Sequence, residues 1–206
     1  RDMNVGNFQI SPQKAVRENI KARIAIMGPA KTGKTYTALG IASGLGDRVF
    51  VIDTEKGSVR RYADTFNFHD QTLPTNSPAF FAAAIEQAGA SNQFDVIIVD
   101  SLSHAWAGPG GALEMVEDAK KRSKGNSFVA WREVTPLQDR MIDAMLTSPC
   151  HVIATMRTKT AYEMTDGRNG KKVPQKVGLA PIQRDGMEDE FDMLMEMNAE
   201  HEGIVY

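Results

Sequence analysis

Apolar residues occur along this chain in two rhythms. Short uninterrupted runs at Ile24-Ala25-Ile26-Met27, Val49-Phe50-Val51-Ile52, Val96-Ile97-Ile98-Val99 and Val152-Ile153-Ala154 are rich in β-branched residues. Such runs predict strands buried on both faces of a parallel sheet. Between them, apolar residues recur at helical spacing: Leu39, Ile41, Ala42 and Leu45; then Phe80, Phe81, Ala84, Ile85 and Ala88; then, after a helical segment over 112–122, Leu137, Met141, Ile142, Met145 and Leu146. Ser77-Pro78 supplies an N-cap residue followed by proline at the first helical position of the helix Ala79–Ala90. Thr135-Pro136 is expected to start the last helix in the same way, and Pro149 to stop it. Phe191–Met197 and Gly203–Tyr206, separated by a polar turn, read as a closing antiparallel hairpin. Residues 63–76 are expected as loop, His104–Gly111 as a flexible loop carrying Trp106, and Ser123–Asn126 as a basic linker. Residues 1–20 read as a polar arm or short leading helix with scattered apolar positions, and residues 21–206 as the core.

Composition changes this picture little. With 206 residues and 42% hydrophobic content, the chain can bury one ample core. A formal net charge of −2 provides no global basic field, so any nucleic-acid contact must come from a local patch. The lone Cys150 rules out an internal disulfide and points to a reducing compartment; with His151 it lacks partners at metal-ligand spacing. No stretch is long and apolar enough to span a membrane. The chain opens at Arg1 rather than a methionine and its last strand is cut short, so further sequence is expected at both ends.

Chemistry concentrates after the first apolar run. Gly28-Pro29-Ala30-Lys31-Thr32-Gly33-Lys34-Thr35 fits G-x-x-x-x-G-K-[ST] in the strand–loop–helix setting that a phosphate-binding loop requires. A polyphosphate needs several backbone N–H donors converging on it, which only a loop without bulky side chains allows. The following helix turns its positive dipole end toward the phosphates. In this reading Lys34 bridges the β- and γ-phosphate oxygens and the Thr35 hydroxyl ligates Mg²⁺, with Tyr36 beside them. Two strand-end acids complete the set. Asp100, at the end of a strand expected beside that of the phosphate loop, would hold the Mg²⁺ water shell. Glu55, just past Asp53, is a candidate for polarising the attacking water.

Residues 157–184 carry seven basic side chains, Arg157, Lys159, Arg168, Lys171, Lys172, Lys176 and Arg184, against two acids, Glu163 and Asp166. A long basic loop at this point would suit contacts to DNA phosphates or to a neighbouring subunit's nucleotide; the bland alternative is a solvated hairpin. Residues 185–202 then reverse the sign with eight acids.

The order of the phosphate loop, Val51-Ile52-Asp53-Thr54-Glu55, Val96 through Ser101, and Ile153-Ala154-Thr155-Met156-Arg157-Thr158-Lys159 resembles the RecA core. More narrowly it is similar to the short phage-encoded RecA-like ATPases of AAA type implicated in recombination and single-strand annealing; the tract from Lys176 to Gly186, with Glu190-Phe191-Asp192, looks like that family's closing segment. The resemblance implies a RecA-like P-loop NTPase fold with a mainly parallel central sheet, helices on both faces and a C-terminal antiparallel hairpin. It also implies ATP and Mg²⁺ as cofactors, single-stranded DNA as partner, assembly into a ring or filament, a single-strand-binding protein as a further partner, and a bacterial host's cytoplasm. By position, Glu55 matches the catalytic glutamate and Tyr62 the aromatic stacked on adenine. Residues 104–111 and 158–178 match the two DNA-channel loops, and Thr155 stands where RecA proteins carry the glutamine that senses the γ-phosphate. Arg157, Lys171, Lys172, Lys176 or Arg184 could reach a neighbour's γ-phosphate as arginine fingers do. Two alternatives use the same core: a helicase-type motor or helicase loader, and an assembly switch that binds ATP without turnover.

Overall fold

The computed structural model describes residues 11, 12, 14, 20–166 and 172–206. The four apolar runs become β1 (Arg23–Gly28), β2 (Val49–Asp53), β4 (Val96–Asp100) and the first part of β5 (His151–Asp166). β1, β2 and β4 are buried along their whole length, which is why they read as continuous hydrophobic stretches rather than alternating ones. With β3 (His69–Thr72), β6 (Lys172–Pro181), β7 (Met193–Met197) and β8 (Gly203–Val205) they build one sheet in the order β3-β2-β4-β5-β1-β7-β8, with β6 paired to β5. All pairings are parallel except β5 with β6 and β7 with β8. The mainly parallel α/β sheet and its closing antiparallel pair agree with the sequence reading and with a P-loop NTPase fold.

Helix α1 (Lys34–Leu45) covers one face of the sheet through Ala38, Leu39 and Ala42, packing on Ile24, Ile26, Val51, Ile98 and Ile153. The opposite face is covered by α2 (Pro78–Ala90) and by the second half of α5 (Ser127–Thr147), which meet Ala25, Ile52, Ile97, Val99 and Met156 through Phe81, Ile85, Met141 and Met145. Helices α3 (Ser103–Ala107) and α4 (Ala112–Arg122) close a third, smaller cluster against the start of α5, in which Trp106 stacks on Trp131 with ring centroids 5.7 Å apart. Trp106 is thus a packing residue. Among the described residues no helix is long and apolar enough to cross a membrane.

Four expectations need correction. Residues 69–72 form an edge strand rather than loop; His-Asp-Gln-Thr has no apolar signal because only β2 flanks it. Residues 103–107 are a short helix, tethered where Thr54 Oγ1 meets His104 Nδ1 at 2.6 Å. Pro136 does not start α5 but lies inside it; the helix begins nine residues earlier, where the Asn126 side chain accepts from the Val129 N–H at 3.1 Å. Of that helix's foreseen stripe, Leu146 is exposed and Gln138 is buried instead. In the basic stretch after Met156, residues 158–166 of β5 pair antiparallel with β6, which favours the hairpin alternative over the long loop.

Candidate functional site

The phosphate loop leaves β1 at Gly28 and returns to helix at Lys34. Two glycines are forced by different causes. A Cβ on Gly28 would lie 2.5 Å from the Met197 carbonyl oxygen, so the close approach of β7 excludes any side chain. Gly33 has φ 91°, the left-handed conformation that L side chains avoid, and caps α1 without covering its first amides. Lys31 adopts φ 68° at the exposed crest of the loop. Thr32 Oγ1 donates to the Pro29 carbonyl at 3.0 Å and pins the turn. Lys34 is buried, and its ammonium spans the loop, donating to the carbonyls of Gly28 at 3.0 Å and Pro29 at 2.5 Å. Burial lowers its proton affinity, while Asp100 and Glu55 hold it charged from the other side.

Asp100 stands at the end of β4, and here the sheet departs from expectation: β5 lies between β4 and β1, so Asp100's strand is not next to the loop's. The acid reaches the loop nonetheless because α1 lies across β4 and β5. Thr35 Oγ1 meets Asp100 Oδ2 at 2.6 Å, and Thr155 Oγ1 donates to Asp100 Oδ1 at 2.5 Å from below. Burial pushes the Asp100 carboxyl above the ordinary carboxylate range, and the two hydroxyls pull it back. A buried carboxylate paired to a hydroxyl beside a lysine is a hard-oxygen donor set suited to Mg²⁺ and a polyphosphate. With the open end of α1, these residues fit both groups.

Glu55 faces this pair across a cleft of about 300 Å³, which Lys31, Lys34, Thr35, Arg61, Tyr62 and Arg157 also line. Its position is set by Asp53, wholly buried at the end of β2, whose Oδ1 accepts from the Glu55 N–H at 2.6 Å. The Glu55 carboxylate is ion-paired with Arg157. Arg157, foreseen as a residue acting on a neighbouring subunit, therefore sits in its own subunit's cleft. Thr155, foreseen at a phosphate-sensing position, is fully buried on Asp100 and holds that acid in place.

On the outer side of the cleft Tyr62 lies edge-on to Tyr36 with centroids 5.8 Å apart, and Tyr36 in turn to Phe66 at 5.1 Å. An exposed Tyr36 and a half-buried Tyr62 leave an aromatic wall beside the α1 end of the loop, where a base could lie. Arg184 is placed elsewhere: it pairs with Asp139 of α5 at 2.8 Å. Lys159 is exposed on β5, and Lys172 and Lys176 belong to the backbone of β6. Arg168 and Lys171 fall outside the described residues.

Sequence reasoning missed the pairs that tie these acids down. Thr54 and His104 link β2 to α3, and Gln183, buried, donates to the Leu102 carbonyl at 3.0 Å. Ser103 Oγ accepts from the Arg157 N–H at 2.9 Å. Each joins residues roughly 50 or more apart in sequence, so no local pattern announces them.

No curated protein matches the chain. A family model described as AAA domain (AAA_24) matches residues 20–205, a span that takes in the phosphate loop, Glu55, Asp100, the basic hairpin and the closing strands. The chain belongs to this AAA domain family of P-loop nucleotide-binding ATPases.

Proposed function

We propose that this protein binds and hydrolyses ATP with Mg²⁺ and does so on single-stranded DNA, in phage recombination, annealing or replication, as a ring or filament of identical subunits. The observation that carries the reading is the triangle of Lys34, Asp100 and Glu55 about one cleft, in which the metal-type pair and a second carboxylate are separate. Asp100 is committed to Thr35 and Thr155, so Glu55 is the acid left to orient water. Mg²⁺ held by Thr35 and Asp100 would neutralise charge on the β- and γ-phosphate oxygens. Lys34, once a phosphate displaces the loop carbonyls from its ammonium, donates to that phosphate instead, and the amides at the start of α1 complete the cradle. Tyr62 and Tyr36 offer a face for the adenine.

DNA as partner is supported by charge placement. The strand that carries Thr155 and Arg157 runs on without a break into the basic hairpin, so a polyanion on β5 and β6 would bear on the strand that holds both site residues. The test is ATP hydrolysis with and without single-stranded DNA. Stimulation by DNA and its loss in Lys34→Ala are expected; DNA-independent hydrolysis would remove the partner, and undiminished hydrolysis in Lys34→Ala would remove the site.

One observation favours the assembly-switch reading: one oxygen of the Glu55 carboxylate is engaged by Arg157. Retention of ATP with no phosphate release, with or without DNA, would decide for the switch.

A further inference from the structure

Helix α5 buries Ala130, Val134, Met141 and Met145 against α4 and the sheet. Two of its charges are spent on its neighbours: Glu133 pairs with Arg122 of α4, and Arg140 with Glu86 of α2. A second line of side chains runs the length of the helix at three- and four-residue intervals: Phe128, Arg132, Thr135, Asp139, Asp143 and Leu146. Such spacing keeps them on one face. Phe128 is 73% exposed and Leu146 40%, so each end of the line offers a large apolar side chain to water. Arg132 and Asp143 are exposed too, and neither is ion-paired among the described residues. The face is polarised. Its first half carries a groove of about 320 Å³ walled by Phe128, Trp131 and Arg132. Its second half carries a hollow of about 210 Å³ walled by Asp139, Asp143, Leu146 and Glu190, where three acids face the single cation Arg184.

We propose that this face pairs antiparallel with the same face of a second copy, across a two-fold axis level with Leu137, and closes a dimer. The numbering itself is symmetric about that point. Phe128 meets Leu146 of the second copy, Arg132 meets Asp143, and Thr135 meets Asp139, each contact occurring twice. The groove in the first half receives Leu146 of the other copy, and the acidic hollow receives Phe128 with Arg132 beside it. A shallow crossing of about 20° keeps two helices in touch over this length. Charge selects the direction. A parallel pairing would set Arg132 against Arg132 and Asp143 against Asp143, and like charges so opposed are repelled. One helix pair is a small interface, at the transient end of the range. The contact is isologous and closes on itself, so it is distinct from the head-to-tail contact that a ring or filament needs. It requires neither nucleotide nor DNA, and so goes beyond the function proposed above.

The test is sedimentation velocity over a protein concentration series, without nucleotide or DNA. The 22.6-kDa chain is expected to move toward twice its mass and no further. Arg132→Glu and Asp143→Arg should each weaken the dimer about tenfold, because the two-fold turns one substitution into two repelling pairs. Mixing the two weakened proteins should restore it, since each then offers the other the opposite charge at both contacts; the double variant should be restored as well. Phe128→Ala, which alters no charge, should weaken it without being rescued by either partner. Trp106 and Trp131 are the two tryptophans of the chain and stack beside Phe128, so their emission should shift over the same concentrations. A monomer at every concentration overturns the pairing, as does a mass that keeps growing past two. So does association that neither charge reversal touches, or that mixing fails to restore. An emission shift driven by an added single-stranded oligonucleotide at constant protein mass would give the groove to nucleic acid and overturn it too. None of these outcomes bears on ATP binding, which the Lys34→Ala comparison decides separately.

Discussion

Asp100 shows how much of this site depends on single hydroxyls. Its carboxylate is almost fully buried and is satisfied by Thr35 on one oxygen and Thr155 on the other. Without Mg²⁺, ionised Asp100 is a burden on the fold, because burial raises its carboxyl above the ordinary carboxylate range. A group raised in the folded state adds stability below its unfolded value and loses it as pH rises through the folded one. Thr155→Val, nearly isosteric, removes one of the two donors that oppose the shift. It should therefore lower stability by about 1–3 kcal/mol in metal-free buffer near neutrality, and by much less in acid, where the carboxyl is protonated. Urea unfolding at two pH values checks this. An equal loss at both would mean that the hydroxyl contributes packing alone. Gly28 is the complementary case, a residue fixed by what is near rather than by what it donates, since the Met197 carbonyl fills the place of its side chain.

At the level of elements, legibility followed burial symmetry. Strands with core on both faces, β1, β2 and β4, and the one-sided helix α2 were readable because a continuous apolar run and a 3.6-residue period each have one cause. Elements whose ends are set by partners far away in sequence were not. β3 is polar because it is an edge. β5 runs to Asp166 because β6 pairs with it, and not because residues 158–166 are apolar. Proline misled at α5: at Pro136 the missing N–H and the ring's pressure on the preceding turn make a helix start the natural reading. Yet the packing of Ala130 and Val134 against α4 carries the helix through. Two opposite stability changes follow from the true start. Asn126→Ala removes the cap that Val129 uses and should cost about 1 kcal/mol. Pro136→Ala restores an interior N–H at an exposed position and should add about 1 kcal/mol or more. Thermal unfolding of both variants tests the pair; a neutral Asn126→Ala would return the helix start to Pro136.

For the whole molecule, charge and topology separate two tasks. The phosphate-loop motif, Glu55 and Asp100 stand out in the sequence because their signals are local. Their assembly does not, since β5 intervenes between β1 and β4 and brings Thr155 and Arg157 with it. That same strand projects into the basic hairpin, while the net charge of −2 and the acidic stretch 185–202 leave no long-range attraction for a polyanion. If single-stranded DNA binds, the hairpin must therefore supply the neutralising charges locally. Each phosphate neutralised on a single strand contributes roughly −0.7 to the slope of log affinity against log salt. Reversing Lys171 and Lys172 together removes two such contacts, so the slope should flatten by roughly 1.4 and affinity at low salt should fall. Fluorescence anisotropy of a labelled oligonucleotide over a salt series gives both quantities. A weaker but equally steep titration would assign the loss to changed shape, and an unchanged one would move the DNA contact off this hairpin altogether.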